Sequence, residues 1–249
     1  MESAFFAATR WTDGGNMKFS EQLQAQAKPI MDAINKHPFV EGLAKGDLPK
    51  EALISYVQQD YLFLKKLREV WASAIRMSKN DEQVRFFWGI IEVILDAECD
   101  AYDAFCEQAG VKMEDMKNAI PSPKAYLYEA HLDQAVLSGN MFYLLAAFAP
   151  TPWTYLEFTR HILDSDADMT NNPFKPVLDF YLNEENYAGP TFKFIDEMAE
   201  TATKEELAEA SQFFLKTCEL EWQFWEQAYY QQDWHFKEVL EASRLEMTK

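Results

Sequence analysis

Apolar side chains recur at intervals of three and four along most of the chain, and the runs end at proline, glycine or asparagine. That spacing keeps one face of a 3.6-residue helix apolar. It predicts helices over roughly 18–36, 49–78, 81–109, 122–137, 140–164, 173–183, 189–200, 203–230 and 233–247. Start signals support the boundaries. Asp47-Leu-Pro49-Lys-Glu51 offers a capping acid, a proline in the first turn and then a further acid. Asp81 repeats the signal, as does Thr203 followed by Glu205 and Glu206, while Gly110 and Gly139 read as stops. No alternating strand pattern, internal repeat or linker interrupts the series, so the expectation is one all-α helical bundle, a single domain over 17–249. Residues 1–16 lie outside the pattern and read as a flexible leader or a non-native extension, with Met17 as a second possible start. They lack the basic start and apolar core of a secretory signal.

Three predicted helices place an acid inside the apolar stripe. Leu53, Val57, Asp60, Leu64, Leu67, Trp71 and Ile75 share one face around Asp60. Ile91, Leu95, Glu98, Tyr102 and Phe105 do the same around Glu98, and Phe214, Cys218, Glu221, Trp225 and Ala228 around Glu221. An ionised acid on a buried face costs several kcal/mol unless it is paired or hydrogen-bonded. One such acid alone reads as an interhelical salt bridge or a boundary position. Three together point to a polar site inside the bundle that meets a basic, amine-bearing or ring-nitrogen ligand.

A second irregularity is Phe148-Ala-Pro150-Thr151-Pro152-Trp153-Thr154-Tyr155. Two prolines in a helical stretch remove backbone donors and predict a kink or break, with Phe148, Thr151, Tyr155 and Phe158 still on one face. Such a segment lines a cavity or simply packs in the core. Tyr128, His131 and Leu132 share a face of the preceding helix, and His37, His161 and His235 read as structural.

Composition narrows the function classes. Apolar residues make up 48% and aromatics 15% of 249 residues, enough for a large core with ring-lined cavities. The formal net charge of −18 argues against a nucleic-acid partner and against an anionic membrane surface. No apolar run reaches the length of about 18 residues that a membrane span needs. Three cysteines, Cys99, Cys106 and Cys218, form no CxxC pair and suit reduced thiols in the cytoplasm. The Glu-x-x-His pairs of di-metal bundles, HExxH, phosphate loops and GxSxG elbows are all missing, so neither a metal nor another cofactor is expected.

Five stretches carry a family resemblance: His37-Pro-Phe-Val40, Gln59-Asp60-Tyr61-Leu62-Phe63-Leu64, Tyr128-x-x-His131-Leu132, Pro150-x-x-Trp153-x-Tyr155 and Glu221-x-x-Phe224-Trp225-Glu226-x-Ala228-Tyr229. In order and spacing, from Met17 to Trp234, the chain resembles the TenA/thiaminase II family of aminopyrimidine hydrolases. The resemblance implies a haem-oxygenase-like bundle, a homo-oligomer (tetramer or dimer), and a buried pyrimidine pocket. It assigns Asp60 to the exocyclic amine and ring nitrogen, Glu221 to proton transfer, and Phe63, Tyr128, Tyr155 and Tyr181 to the pocket wall. The sequence departs from that family at Thr151, where the well-known members carry a nucleophilic cysteine. Phe63, Glu219-Leu-Glu221 and Leu95-x-x-Glu98 resemble a branch lacking the cysteine, in which Glu98, near Cys99, substitutes. The implied chemistry is hydrolysis of a 4-aminopyrimidine of thiamin degradation or salvage, with Glu221 or Glu98 activating water. The alternatives are a pyrimidine-binding protein without catalysis and an oxidase or oxygenase on the same fold.

Overall fold

In the computed structural model, which describes residues 17–96, 101–116 and 119–246, the periodic runs fold into thirteen α-helices, with no strand among the described residues. They are α1 (Phe19–Ile34), α2 (Pro38–Lys45), α3 (Lys50–Met77), α4 (Asp81–Asp96), α5 (Ala101–Ala109), α6 (Met113–Met116) and α7 (Pro123–Leu137). Then follow α8 (Met141–Phe148), α9 (Pro150–Leu163), α10 (Lys175–Tyr181), α11 (Glu185–Ala199), α12 (Lys204–Tyr230) and α13 (Lys237–Glu246), with a 3-10 turn, Leu182–Glu184, between α10 and α11.

The long helices follow the predicted periods, and the differences lie at their ends. An extra helix, α2, forms because His37 Nδ1 accepts from Phe39 N at 3.1 Å, Pro38 supplies the first turn, and Gly46 at φ 73° closes the end. Asp47 does not cap α3. Pro49 occupies the cap position and no side chain accepts there. Asn80, rather than Asp81, caps α4 by accepting from Gln83 N at 2.9 Å. Thr203 acts as expected, in a reciprocal box with Glu206. Gly110 and Gly139 adopt φ 64° and 65°, the left-handed conformation that ends a helix at low steric cost.

Of the helix expected over 81–109, the described residues are helical over α4 and α5; Tyr102 and Phe105 face inward as expected, but the apolar face of α4 is turned by one residue. Phe87, Ile90 and Ile94 face inward, whereas Leu95 is 51% exposed. Trp71 of α3 sets that rotation, stacking on Phe87 at 5.3 Å and meeting Phe148 edge-on at 4.1 Å. The prolines at 150 and 152 also do less than expected. Both lie in the first turn of α9, and Ala149 stays helical at φ −49°, ψ −35°. The interruption between α8 and α9 is thus one residue wide.

Helix α12 runs through the middle, packed on α1, α3, α7, α8 and α9, while α3 packs on α4, α5, α7 and α12. Trp225 of α12, fully buried, meets Tyr155 at 5.2 Å and Phe158 at 5.4 Å on α9. Where α3, α7, α9 and α12 converge with the 3-10 turn, side chains leave a cavity.

Candidate active site

The cavity encloses about 950 Å3 of non-atom space, open solvent at its mouth included, and is walled mainly by aromatic and aliphatic side chains. It takes in Asp60 and Phe63 from α3, Tyr128 from α7, Thr151 and Tyr155 from α9, Tyr181 from α10 and Glu221 from α12. The residues assigned by motif thus come together in one place. Glu98 lies outside the described residues, as does Cys99.

Two acid–tyrosine pairs define the chemistry. Glu221 is 2% exposed and accepts from Tyr128 Oη at 2.5 Å. The Thr151 hydroxyl sits 2.7 Å from the same Tyr128 oxygen. Burial pushes the Glu221 carboxyl up to about 8, against the opposing bonds from Tyr128 and Thr151. Asp60 forms the second pair, accepting from Tyr102 Oη at 2.5 Å. Burial lifts Asp60 to about 6, and the Tyr102 bond holds it lower than burial alone would. Asp60 keeps partial exposure because one side faces the cavity.

A third hydrogen-bonded group is built from tyrosines alone. Tyr56 Oη lies 3.0 Å from Tyr155 Oη and 3.1 Å from Tyr181 Oη, which holds two wall rings in fixed orientations. Phe63 packs on Tyr128 at 4.5 Å, closing the wall beside Glu221.

Sequence reasoning missed Tyr56, Tyr102 and Glu184. Tyr56 is four residues before Asp60 and shares its face, and Tyr102 sits in an apolar stripe, so each reads equally well as core. Glu184 lies in the polar run Asn183-Glu184-Glu185-Asn186, which reads as a solvated face. It ends the 3-10 turn and faces the cavity, where burial first and the Asp60 charge second push it up to about 8. Among the described residues no Lys, Arg or His lines the cavity. No group of three His, Cys, Asp or Glu among the described residues is arranged to hold a metal ion.

Two histidines, His37 and His131, hold helices together. His37 caps α2 and bonds Glu226 at 3.0 Å, and His131 Nε2 lies 3.1 Å from Thr217 Oγ1 and 3.2 Å from the Phe213 carbonyl. Burial lowers both imidazoles from the ordinary histidine value, opposed at His37 by the Glu226 carboxylate. Among the described residues no helix is long and apolar enough to cross a membrane.

Comparison with known proteins agrees with this geometry. The sequence profile of the TENA/THI-4/PQQC family matches residues 24–232. The aminopyrimidine aminohydrolase of Bacillus subtilis (strain 168) is 30% identical over 234 residues, covering 91% of this chain and 96% of that protein. A solved TenA family transcription regulator from Silicibacter sp. TM1040 superposes with a TM-score of 0.74 at 26% identity, over 85% of this chain and 96% of its own. A domain of unknown function with a haem-oxygenase-like fold from Shewanella denitrificans OS217 superposes at 0.60 with 16% identity, over 84% of this chain and 91% of its own, and shares the fold.

Proposed function

Because the chain belongs to the TENA/THI-4/PQQC family, we propose that it is a hydrolase of 4-aminopyrimidines of thiamin degradation and salvage. The observation that carries this reading is the pairing of two cavity carboxyls, Asp60 and Glu221, each with its own buried tyrosine. Asp60 offers two oxygens to the amine and ring nitrogen on one edge of an aminopyrimidine, a planar two-point contact. Its value near 6 suits proton exchange with a ring nitrogen. The aromatic walls sandwich the ring.

Glu221 handles the other proton. For an aminomethyl substrate the C–N bond to the leaving amine breaks and a C–O bond to water forms, giving the hydroxymethyl pyrimidine and ammonia. An aminomethyl group bound neutral needs a proton as it leaves, one bound as ammonium already carries it, and water must lose one as it attacks. A carboxyl near 8 that faces the cavity can give the first and take the second. Thr151 hydrogen-bonds Tyr128 and acts as a positioning residue, since a hydroxyl without an adjacent base is a poor nucleophile.

Turnover of 4-amino-5-aminomethyl-2-methylpyrimidine is the test, with thiamin beside it. Asp60→Asn and Glu221→Gln are each expected to lower kcat/KM by roughly a hundredfold or more. Thr151 in place of a thiol favours a second reading, a pyrimidine-binding protein without catalysis. Saturable binding without turnover, abolished by Asp60→Asn, selects it. We further propose a homo-oligomer, tetramer or dimer, in the cytoplasm, which light scattering and cell fractionation test.

A further inference from the structure

Among the described residues three carboxyls share the cavity, and the proposed chemistry uses two. Glu184 is the third. It reaches the cavity from the turn after α10, an element separate from those bearing Asp60 and Glu221. Unlike those two, it receives no tyrosine: no hydrogen bond or ion pair to its carboxyl is among the contacts of the described residues, although Tyr181 and Tyr187 line the cavity with it. Its field nevertheless reaches the other site groups, adding to the upward push on Glu221 and taking one itself from Asp60. A half-buried carboxyl that shares a cavity with two others, with no cation lining it among the described residues, is costly to ionise. The exposed ion pairs at the surface show that Lys and Arg are available to the fold, yet none of the described residues supplies one here.

We propose that Glu184 is the specificity residue for charge, the counter-ion of a cationic substituent on the pyrimidine. This inference rests on the hydrolase reading and names its substrate class: pyrimidines carrying an ammonium or other cationic group, over neutral ones of the same shape. With the ring's amine edge on Asp60, the substituent's cation supplies the charge partner that Glu184 lacks. Binding of the ammonium form then converts Glu184 from its acid to its carboxylate form, its proton passing to solvent, and the leaving amine departs from beside an anion. A neutral hydroxymethyl product has no such hold, which favours its release over the substrate.

The experiment is calorimetric titration of the full chain at pH 7.5 with two ligands sharing one ring. One is 4-amino-5-aminomethyl-2-methylpyrimidine, the other its neutral 5-hydroxymethyl counterpart. Glu184→Gln keeps the side-chain shape and removes the charge, and it is expected to weaken the aminomethyl ligand by roughly ten- to fiftyfold, the size of a partly screened ion pair. The hydroxymethyl ligand should stay within about twofold, which also reports an intact pocket. Glu184→Asp is expected to recover part of the preference. Equal loss for both ligands, or unchanged affinity for the aminomethyl ligand in Glu184→Gln, overturns the role of Glu184 and leaves the hydrolase reading standing. If neither pyrimidine binds the unaltered protein, the hydrolase reading falls and this inference with it.

Discussion

At the scale of single residues the decisive position is Thr151. Its hydroxyl faces the cavity 2.7 Å from Tyr128 Oη, and Tyr128 in turn bonds Glu221. A thiol there would sit beside a carboxyl able to take its proton, and thiolates attack far better than hydroxyls. Thr151→Cys is therefore expected to raise kcat by roughly tenfold or more, and to make the enzyme sensitive to iodoacetamide. The native thiols of Cys106 and Cys218 are buried and pushed up by that burial, so they make poor competitors. Equal turnover and no alkylation in the variant would show that the water route does not depend on a nucleophile at 151. Thr151, Asp60 and Glu221 were legible in the sequence because each breaks a local rule: a polar group on an apolar stripe, or a hydroxyl between two prolines. Tyr56 and Tyr102 break none. A tyrosine in an apolar stripe looks the same whether its hydroxyl supports an acid or merely finds a partner.

Helix α7 shows how one element is held in register for that chemistry. Gln59 of α3 donates to the Ile120 carbonyl at 3.1 Å and accepts from Ser122 N at 2.8 Å. Gln227 of α12 accepts from Ser122 Oγ and from Ala125 N. Two glutamines thus clamp the start of the helix that carries Tyr128, three residues beyond Ala125. Gln59→Leu leaves a buried amide N–H and a carbonyl to find new partners, a cost of roughly 2–4 kcal/mol in urea unfolding. The same change should lower kcat more than KM, because it shifts Tyr128 relative to Glu221 rather than removing a ring contact. An unchanged kcat with the full stability loss would mean that α7 is positioned by its packing alone. The clamp was invisible in the sequence, since a glutamine on a helix names no partner. Helix α2 escaped notice for a related reason: its start depends on the ring nitrogen of His37, which no residue-type rule assigns to a cap. The rotation of α4 was hidden too, because Ile90, Ile91, Ile94 and Leu95 offer two apolar faces one residue apart, and only the Trp71–Phe87 stack chooses between them.

Across the whole molecule the cavity acids couple function to stability. Asp60 rises from 3.8 to about 6, and Glu184 and Glu221 from 4.5 to about 8. Between roughly pH 4 and 8 the folded state therefore binds more protons than the unfolded chain. Raised carboxyls contribute their full stability below their unfolded values, and that contribution is lost as pH rises through the folded ones. The unliganded protein is expected to be more stable near pH 5 than near pH 8. Self-repulsion from a formal charge of −18 acts in the same direction, so pH dependence alone does not isolate the cavity. The difference between proteins does. Glu184→Gln removes one half-buried acid and leaves the surface untouched, and its melting temperature should match the parent at pH 5 and exceed it by roughly 3 °C or more at pH 8, each kcal/mol being worth about 2–4 °C at this size. A constant offset between the two curves at every pH would mean that Glu184 ionises as freely in the fold as in the unfolded chain. An aminomethyl pyrimidine should flatten the parent's slope by giving the cavity a cation, whereas its hydroxymethyl counterpart should raise the whole curve without changing its shape.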